Sequence, residues 1–174
     1  MAEVGRALPA GAVVVDEAVR STPEAFAHLP LAPGSAWHHT GGGALGWGVP
    51  ASIGMKLAEP GRAVAALVGD GAFHFSAQSL WTAAHEDVPV VIVVLDNGGY
   101  LAVKRAVERV AGASVEPRSY PGTVISGLDH CEVARGYGAL ATSVTRPADV
   151  APAVEAAFAS NRPAVVVLSV EEAR

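Results

Sequence analysis

The sequence has little cysteine, few aromatic residues and no strong charge of either sign. Cys131 is its single cysteine, which excludes an intrachain disulfide and suits a reducing compartment. The ordinary reading of such a residue is a small, buried or half-buried filler. Charged residues make up 17% of the chain and the net charge is −5. That leaves no basic patch for nucleic acid and no polybasic segment for a membrane surface. The longest apolar run, Val88–Leu95, has eight residues, far below the ~20 a membrane-spanning helix needs. The first run, Ala12–Val15, is too short for the core of a secretory signal, and Glu3 lies in the wrong place. A cytoplasmic protein is the expectation. No repeat or low-complexity linker divides the sequence, so residues 1–174 read as one domain.

What is abundant is small and apolar. Half of the residues are hydrophobic, with many Ala and Val, as a layered α/β fold requires. The organising stretch runs from Val64 to Tyr100. Two apolar runs, Val64–Val68 and Val88–Leu95, each end in a polar turn bearing glycine: Gly69-Asp70-Gly71 and Asp96-Asn97-Gly98-Gly99. The intervening segment accommodates one helix, Ser76–His85, so the two strands are expected to be parallel. Ligands of open parallel sheets bind beyond the carboxyl ends of strands, which is where both turns lie. Asp70 supplies a carboxylate, Asn97 a side-chain carbonyl, and the glycines backbone carbonyls and N–H groups. An all-oxygen set suits Mg²⁺ or Ca²⁺, and Mg²⁺ usually completes its octahedron with phosphate and water. A helix starting after Gly71 aims its free N–H groups at the same place. The expected occupant is a magnesium-bridged phosphate or diphosphate.

Gly-Asp-Gly with an Asn 27 positions after the Asp resembles the thiamine diphosphate motif. SLWTAA (79–84), LAEPGR (57–62) and ARGYGA (134–139) are similar to the diphosphate-binding domain of benzoylformate decarboxylase and acetolactate synthase-like enzymes. The resemblance runs from about Gly11 to the end. It implies a doubly wound, mostly parallel sheet of five to six strands with helices on both faces. It also implies Mg²⁺ held by Asp70, Asn97 and the carbonyl of Gly99, with thiamine diphosphate lying against Gly69, Gly71, Ala72 and Tyr100. Ala72 stands where a serine is frequent in the family, and Asp96 where an asparagine is. A backbone carbonyl at Gly43 is expected to accept from the aminopyrimidine amine, and Leu45 to prop the cofactor in its bent shape. Hydroxyl residues follow the first strand in the family; here Val19 and Arg20 stand there, with Ser21 and Thr22 slightly later. Either Arg20 pairs with a phosphate oxygen or the Ser-Thr pair serves in a shifted register. Thr22 before Pro23 and Glu24 also reads as a helix N-cap.

The same resemblance places the essential glutamate in a separate pyrimidine-binding domain, absent from this sequence. Glu17 does not match it and reads as a structural carboxylate. His39 aligns with an aromatic position of the substrate pocket and is a candidate for substrate contact or proton transfer. Neighbouring His38 must point the other way if this stretch is a strand. His74 reads as a satisfied histidine. The implied function is a subunit or fragment of a 2-oxo acid decarboxylase, or of a carboligase, working with a pyrimidine-binding partner in a homo- or hetero-oligomer. A rival reading uses Gly41, Gly43 and Gly46, a literal G-x-G-x-x-G, as a dinucleotide loop; a non-catalytic domain is a third.

The remaining elements are expected as follows. Residues 1–10 form a helix end or leader. Strands cover Ala12–Val15, Ser35–Thr40, Ala139–Val144 and Ala164–Val170. Helices cover Trp47–Ala58, Tyr100–Val110, Asp129–Gly136 and Pro147–Ser160. Gly112–Leu128, rich in Pro and Gly, is expected to be a mobile loop.

Overall fold

The structure is a computed structural model and describes residues 1–111, 120–125 and 127–170. Most of the expected Gly112–Leu128 loop lies outside the described residues. The sheet has six strands: β1 (Val13–Glu17), β2 (Ala36–His39), β3 (Val64–Gly69), β4 (Val91–Asp96), β5 (Leu140–Val144) and β6 (Ala164–Ser169). Their order is β2-β1-β3-β4-β6-β5, and every pairing is parallel.

A parallel strand in such a sheet is covered on both faces and reads as a continuous apolar run. The side chains of β1, β3, β4 and β6 therefore divide alternately between two cores. One core takes Val13, Val15, Ala66, Val68, Ile92 and Val94 against α3 (Gly48–Ala58), α4 (Asp70–Ser76), α5 (Ser79–His85) and α7 (His130–Gly136). The other takes Val14, Leu67, Val93, Leu95 and Val166 against α1 (Ala2–Ala7), α2 (Thr22–His28) and α8 (Val150–Ala159). Val4 of α1 is fully buried, so the N-terminal segment is part of this core. The remaining helix, α6 (Leu101–Ala111), follows the turn after β4.

Several boundaries differ from the pattern in the sequence, each for a physical reason. β1 runs through Asp16 and Glu17, which an apolar-run criterion excludes, because both carboxylates find partners inside the protein. β4 begins at Val91, two residues after Pro89, which has no N–H to give a ladder. The single helix expected over Ser76–His85 is two helices: α4 starts directly at Asp70, and Ala77 and Gln78 separate it from α5. Phe73, Ala77, Leu80 and Ala83 reach one core across that break. In α3, Ile53 and Leu57 lie one turn apart and are both expected to face the sheet, but only Ile53 is buried and Leu57 is exposed. Thr22 is not a cap: α2 begins with it, and its hydroxyl donates to Asp16 Oδ1 at 3.1 Å.

One contact fixes how α3 meets the sheet. The residue before α3 is Trp47, whose side chain makes no capping bond. The carboxylate of Glu17, at the end of β1, does this work from across the fold. It accepts from the N–H groups of Gly46 (2.7 Å), Trp47 (3.1 Å) and Gly48 (2.7 Å). Glu17 is 1% exposed, so the structural reading of this residue holds. Hydrogen bonds to a charged acceptor contribute about 1.5–3 kcal/mol each, and buried donors left unpaired are costly. Glu17→Ala is therefore expected to destabilise the chain by about 3 kcal/mol or more, read as a lower urea midpoint. A shift below about 1 kcal/mol would mean that water replaces the carboxylate.

Candidate functional site

The chain leaves β1 toward β2 on one side and leaves β3 toward β4 on the other. A crevice must open where the winding reverses, beyond the carboxyl ends of β1 and β3. A cleft of ≈ 240 Å³ lies there. The turn after β1 supplies Ala18, Val19 and Arg20, and the loop before α3 supplies Gly43 and Leu45. The end of β3 and start of α4 supply Gly69, Asp70, Gly71 and Ala72; Asn97, Gly99 and Tyr100 follow β4. Leu101, Ala102 and Val103 of α6 close the lining. All ten positions expected to serve cofactor or metal, from Arg20 to Tyr100, are thus in one cleft. β3 and β4 are direct neighbours, with Gly69 paired to Leu95, so no strand separates Asp70 from Asn97.

Asp70 is 2% exposed. Its Oδ1 accepts the Gly71 N–H at 2.9 Å, while its Oδ2 is buried without a partner among the described residues. The Gly71 N–H is thereby committed to Asp70 rather than free for an outside anion. Gly71 cannot be larger, because a Cβ there would lie 2.4 Å from Tyr100 Cε1. Asn97 Oδ1 accepts the Gly99 N–H at 3.2 Å, and Asp96 Oδ1 accepts the Gly98 N–H at 3.0 Å. The same turn is tied to the 120–125 segment: Tyr100 N–H donates to Thr123 O, Ile125 N–H donates to Gly98 O, and Gly99 bridges Val124. A Cβ on Gly99 would meet Thr123 O at 2.2 Å.

Arg20 donates through a terminal nitrogen to Glu24 at 3.0 Å, and its Nε is buried with no partner among the described residues. Val19 beside it holds φ = 52°, a strained conformation for a β-branched residue. Since Thr22 is turned to Asp16, Arg20 is the polar side chain of this turn that lines the cleft. His39 lies elsewhere. It sits on edge strand β2, with Nδ1 3.1 Å from Asp16 O and 3.2 Å from Asp16 Oδ2, and it does not line the cleft.

A second group of residues was not foreseen together. His130 opens α7 and is 6% exposed. Its Nδ1 is 2.8 Å from Nε2 of His74, and its Nε2 is 3.6 Å from Asp96 Oδ1. Fifty-six residues separate the two histidines, and no local pattern announces the pair. Burial pushes His74 below its ordinary pKa, helped by His130. Burial also raises the Cys131 thiol, which is 5% exposed and behaves as filler.

Burial lifts the Asp70 carboxyl above its ordinary pKa; the Gly71 and Gly99 N–H groups oppose the rise and Asp96 adds to it. Between the unfolded value, about 3.9, and the raised native value, the folded state holds the extra proton, so stability falls as pH rises through that window. Asp70→Asn is accordingly expected to raise the thermal midpoint of the metal-free chain at neutral pH, with the gain vanishing as pH falls below about 4. Melts in chelator across that range check it; a lower midpoint than wild type at neutral pH contradicts it. For the glycine contact, Gly71→Ala should cost about 2 kcal/mol, and most of that cost should disappear in a Tyr100→Ala background. Urea titration of both single variants and the double variant measures the coupling.

The family profile "Thiamine pyrophosphate enzyme, C-terminal TPP binding domain" matches residues 20–168. Benzoylformate decarboxylase of Pseudomonas aeruginosa is 32% identical over 158 residues, covering 91% of this chain and 29% of that protein. The acetolactate synthase large subunit of Mycobacterium tuberculosis is 41% identical over 124 residues, covering 71% of this chain and 22% of its own length. Among solved structures, a thiamine diphosphate-dependent 4-hydroxybenzoylformate decarboxylase of Rhodococcus jostii superposes with a TM-score of 0.89 at 30% identity. That match covers 98% of this chain and 31% of the other. The chain therefore spans no more than about a third of the relatives it matches.

Proposed function

Because the chain belongs to the thiamine pyrophosphate enzymes, as their C-terminal TPP-binding domain, we propose that its cleft holds the diphosphate end of the cofactor together with Mg²⁺. The observation that carries this reading is a pair of unsatisfied groups in one cleft. Among the described residues, Asp70 Oδ2 is a buried acceptor without a donor, and Arg20 Nε a buried donor without an acceptor. A cation answers the first and an anion the second. A magnesium diphosphate brings both charges at once.

In this reading Asp70, the side-chain carbonyl of Asn97 and the backbone carbonyl of Gly99 are the metal ligands. They are oxygen donors, as Mg²⁺ prefers. Arg20 meets a phosphate oxygen. Gly69, Gly71 and Ala72 form the floor, with Tyr100 packed on Gly71. Gly43 and Leu45 come from the loop that Glu17 anchors and lie on the opposite wall. Leu45 is 36% exposed, so its side chain is available to a ligand. Thiamine diphosphate, when bound, supplies an electron sink for cleavage beside a carbonyl. The chain's own contribution is to bind and orient it and to exclude water from the metal side. Asp70 and Asn97 directly follow the adjacent parallel strands β3 and β4.

The rest of the activity belongs to an assembly. We assign the whole a 2-oxo acid decarboxylase or carboligase reaction, with a pyrimidine-binding domain or subunit supplying the glutamate. Support comes from α6, whose Val103, Val107 and Val110 are 48, 38 and 89% exposed and line an apolar trough with Ala102 and Ala106. An apolar stripe of this kind beside the cleft is what such a partner would cover. No helix among the described residues is long and apolar enough to cross a membrane.

The dinucleotide reading is disfavoured by Glu17. A phosphate at the Gly41–Gly46 loop needs the first N–H groups of α3, and Glu17 already occupies those of Gly46, Trp47 and Gly48. Calorimetric titration of the full chain with thiamine diphosphate is the test. We expect saturable binding that requires Mg²⁺ and weakens at least ~100-fold in Asp70→Ala and Asn97→Ala, as loss of a metal ligand demands. Equal binding by wild type and both variants would overturn the site, and metal-independent NAD binding would favour the dinucleotide alternative.

A further inference from the structure

Beyond the cleft, the strongest constellation is the one that joins Asp70 to the histidine pair. Asp70, Asp96 and His130 each offer one ligand atom, and these atoms lie within 4.8 Å of one another. Asp70 follows β3, Asp96 ends β4 and His130 starts α7, so three separate elements converge on one point. We infer that Asp70, Asp96 and His130 bind a transition-metal dication of the Mn²⁺, Co²⁺ or Zn²⁺ class, by a donor set different from that of the diphosphate-bound magnesium.

Four features of the molecule support this. First, Asp70 is 2% exposed and its Oδ2 has no partner among the described residues, so the carboxylate that this cluster shares with the magnesium set is a buried group in need of a cation. Second, His130 Nε2 and Asp96 Oδ1 are 3.6 Å apart. That is too long for a hydrogen bond. It suits two ligands of one tetrahedral ion, since bonds of about 2.0–2.2 Å put neighbouring ligands about 3.3–3.6 Å apart. Third, His130 is oriented like a metal ligand. Its other ring nitrogen, Nδ1, faces His74 Nε2 at 2.8 Å. A proton on Nδ1, donated to His74, leaves the Nε2 lone pair directed at the cluster, the arrangement that commonly fixes a ligating histidine. Fourth, Asp96 and His130 line a second cleft of ≈ 350 Å³ with Asp129, Arg135 and Ser143. Asp70 lines the first cleft and not this one, so the cluster lies between the two and an ion can approach it from the side of Asp96 and His130.

The chemistry sets the class of ion. Oxygen-only sites select Mg²⁺, whereas an imidazole beside two carboxylates favours first-row transition ions. Asp70 is common to both sets; Asn97 and Gly99 belong only to the magnesium set, and Asp96 and His130 only to this one. The two readings share Asp70 and are told apart by Asn97 on one side and by Asp96 and His130 on the other.

Co²⁺ is the probe, titrated into the full chain without thiamine diphosphate. Visible d–d absorption and equilibrium dialysis report binding. We expect one Co²⁺ per chain, with Asp96→Asn and His130→Gln each weakening it at least tenfold. His74→Phe should weaken it by a smaller factor through the lost orientation of His130. Asn97→Ala should leave Co²⁺ affinity within about threefold, although it removes Mg²⁺-dependent cofactor binding. Circular dichroism establishes that each variant folds; should His130→Gln not, Asp96→Asn at the half-exposed position decides. No saturable Co²⁺ uptake, or uptake indifferent to Asp96→Asn, overturns the inference. So does uptake lost in Asn97→Ala but kept in Asp96→Asn, which would place the ion at the diphosphate site.

Discussion

The carboxylate of Glu17 holds together two parts of the chain that the cleft cannot do without. It sits at the carboxyl end of β1 and accepts from three consecutive N–H groups at the entry to α3. The glycine-rich loop before α3 has few other reasons to take one path. With its end pinned to the sheet, the loop brings Gly43 and Leu45 over the crevice that β1 and β3 open. An ordinary helix is capped by a residue beside it. Here the cap comes from a strand, so the position of the loop is set by the sheet and not by local chain preference. The same bonds occupy the donors that an anion at this loop would need, which disfavours a phosphate there.

Several groups that line the cleft cost the fold stability. Asp70 is buried with one oxygen unpaired, and its carboxyl is displaced upward by that burial. A protein selected for stability alone would carry a neutral residue there. Arg20 Nε is similarly unsatisfied, and Val19 is strained beside it. Strained groups of this kind cluster at ligand sites, in keeping with the magnesium diphosphate proposed for this cleft. Close backbone packing keeps these groups in place: the ring of Tyr100 lies on Gly71, and the Thr123 carbonyl on Gly99.

The carboxyl edge of the sheet also accounts for the histidine pair. β4 ends at Asp96 and points it at the start of α7, where His130 is held by His74 from α4. One strand end thus faces two clefts: Asn97 and Gly99 line the first and Asp96 the second. Adjacent residues in an extended chain point to opposite sides, and Asp96 and Asn97 follow that rule.

Much of this was legible in the sequence, and for a definite reason. The Val- and Ala-rich runs gave the buried parallel strands, and the polar turns at their ends gave Asp70, Asn97, Gly99 and their neighbours. Those signals are local: an apolar run, a turn residue and a spacing. What the local signal could not reach was any contact between distant segments. It stopped β1 at Asp16 and Glu17 because two acids at a strand end look exposed, and they are buried only because α3 and α2 bring partners to them. It aligned His39 with a pocket, but strand order sends that residue to the sheet edge and ties it to Asp16. It left His74, Asp96 and His130 as unrelated residues, although packing of α4, β4 and α7 makes them neighbours. The sequence by itself determined the kinds of element and the chemistry at each strand end. Strand order and helix packing decided which ends meet, because proximity across tens of residues is a property of the folded sheet and leaves no periodic trace in the chain.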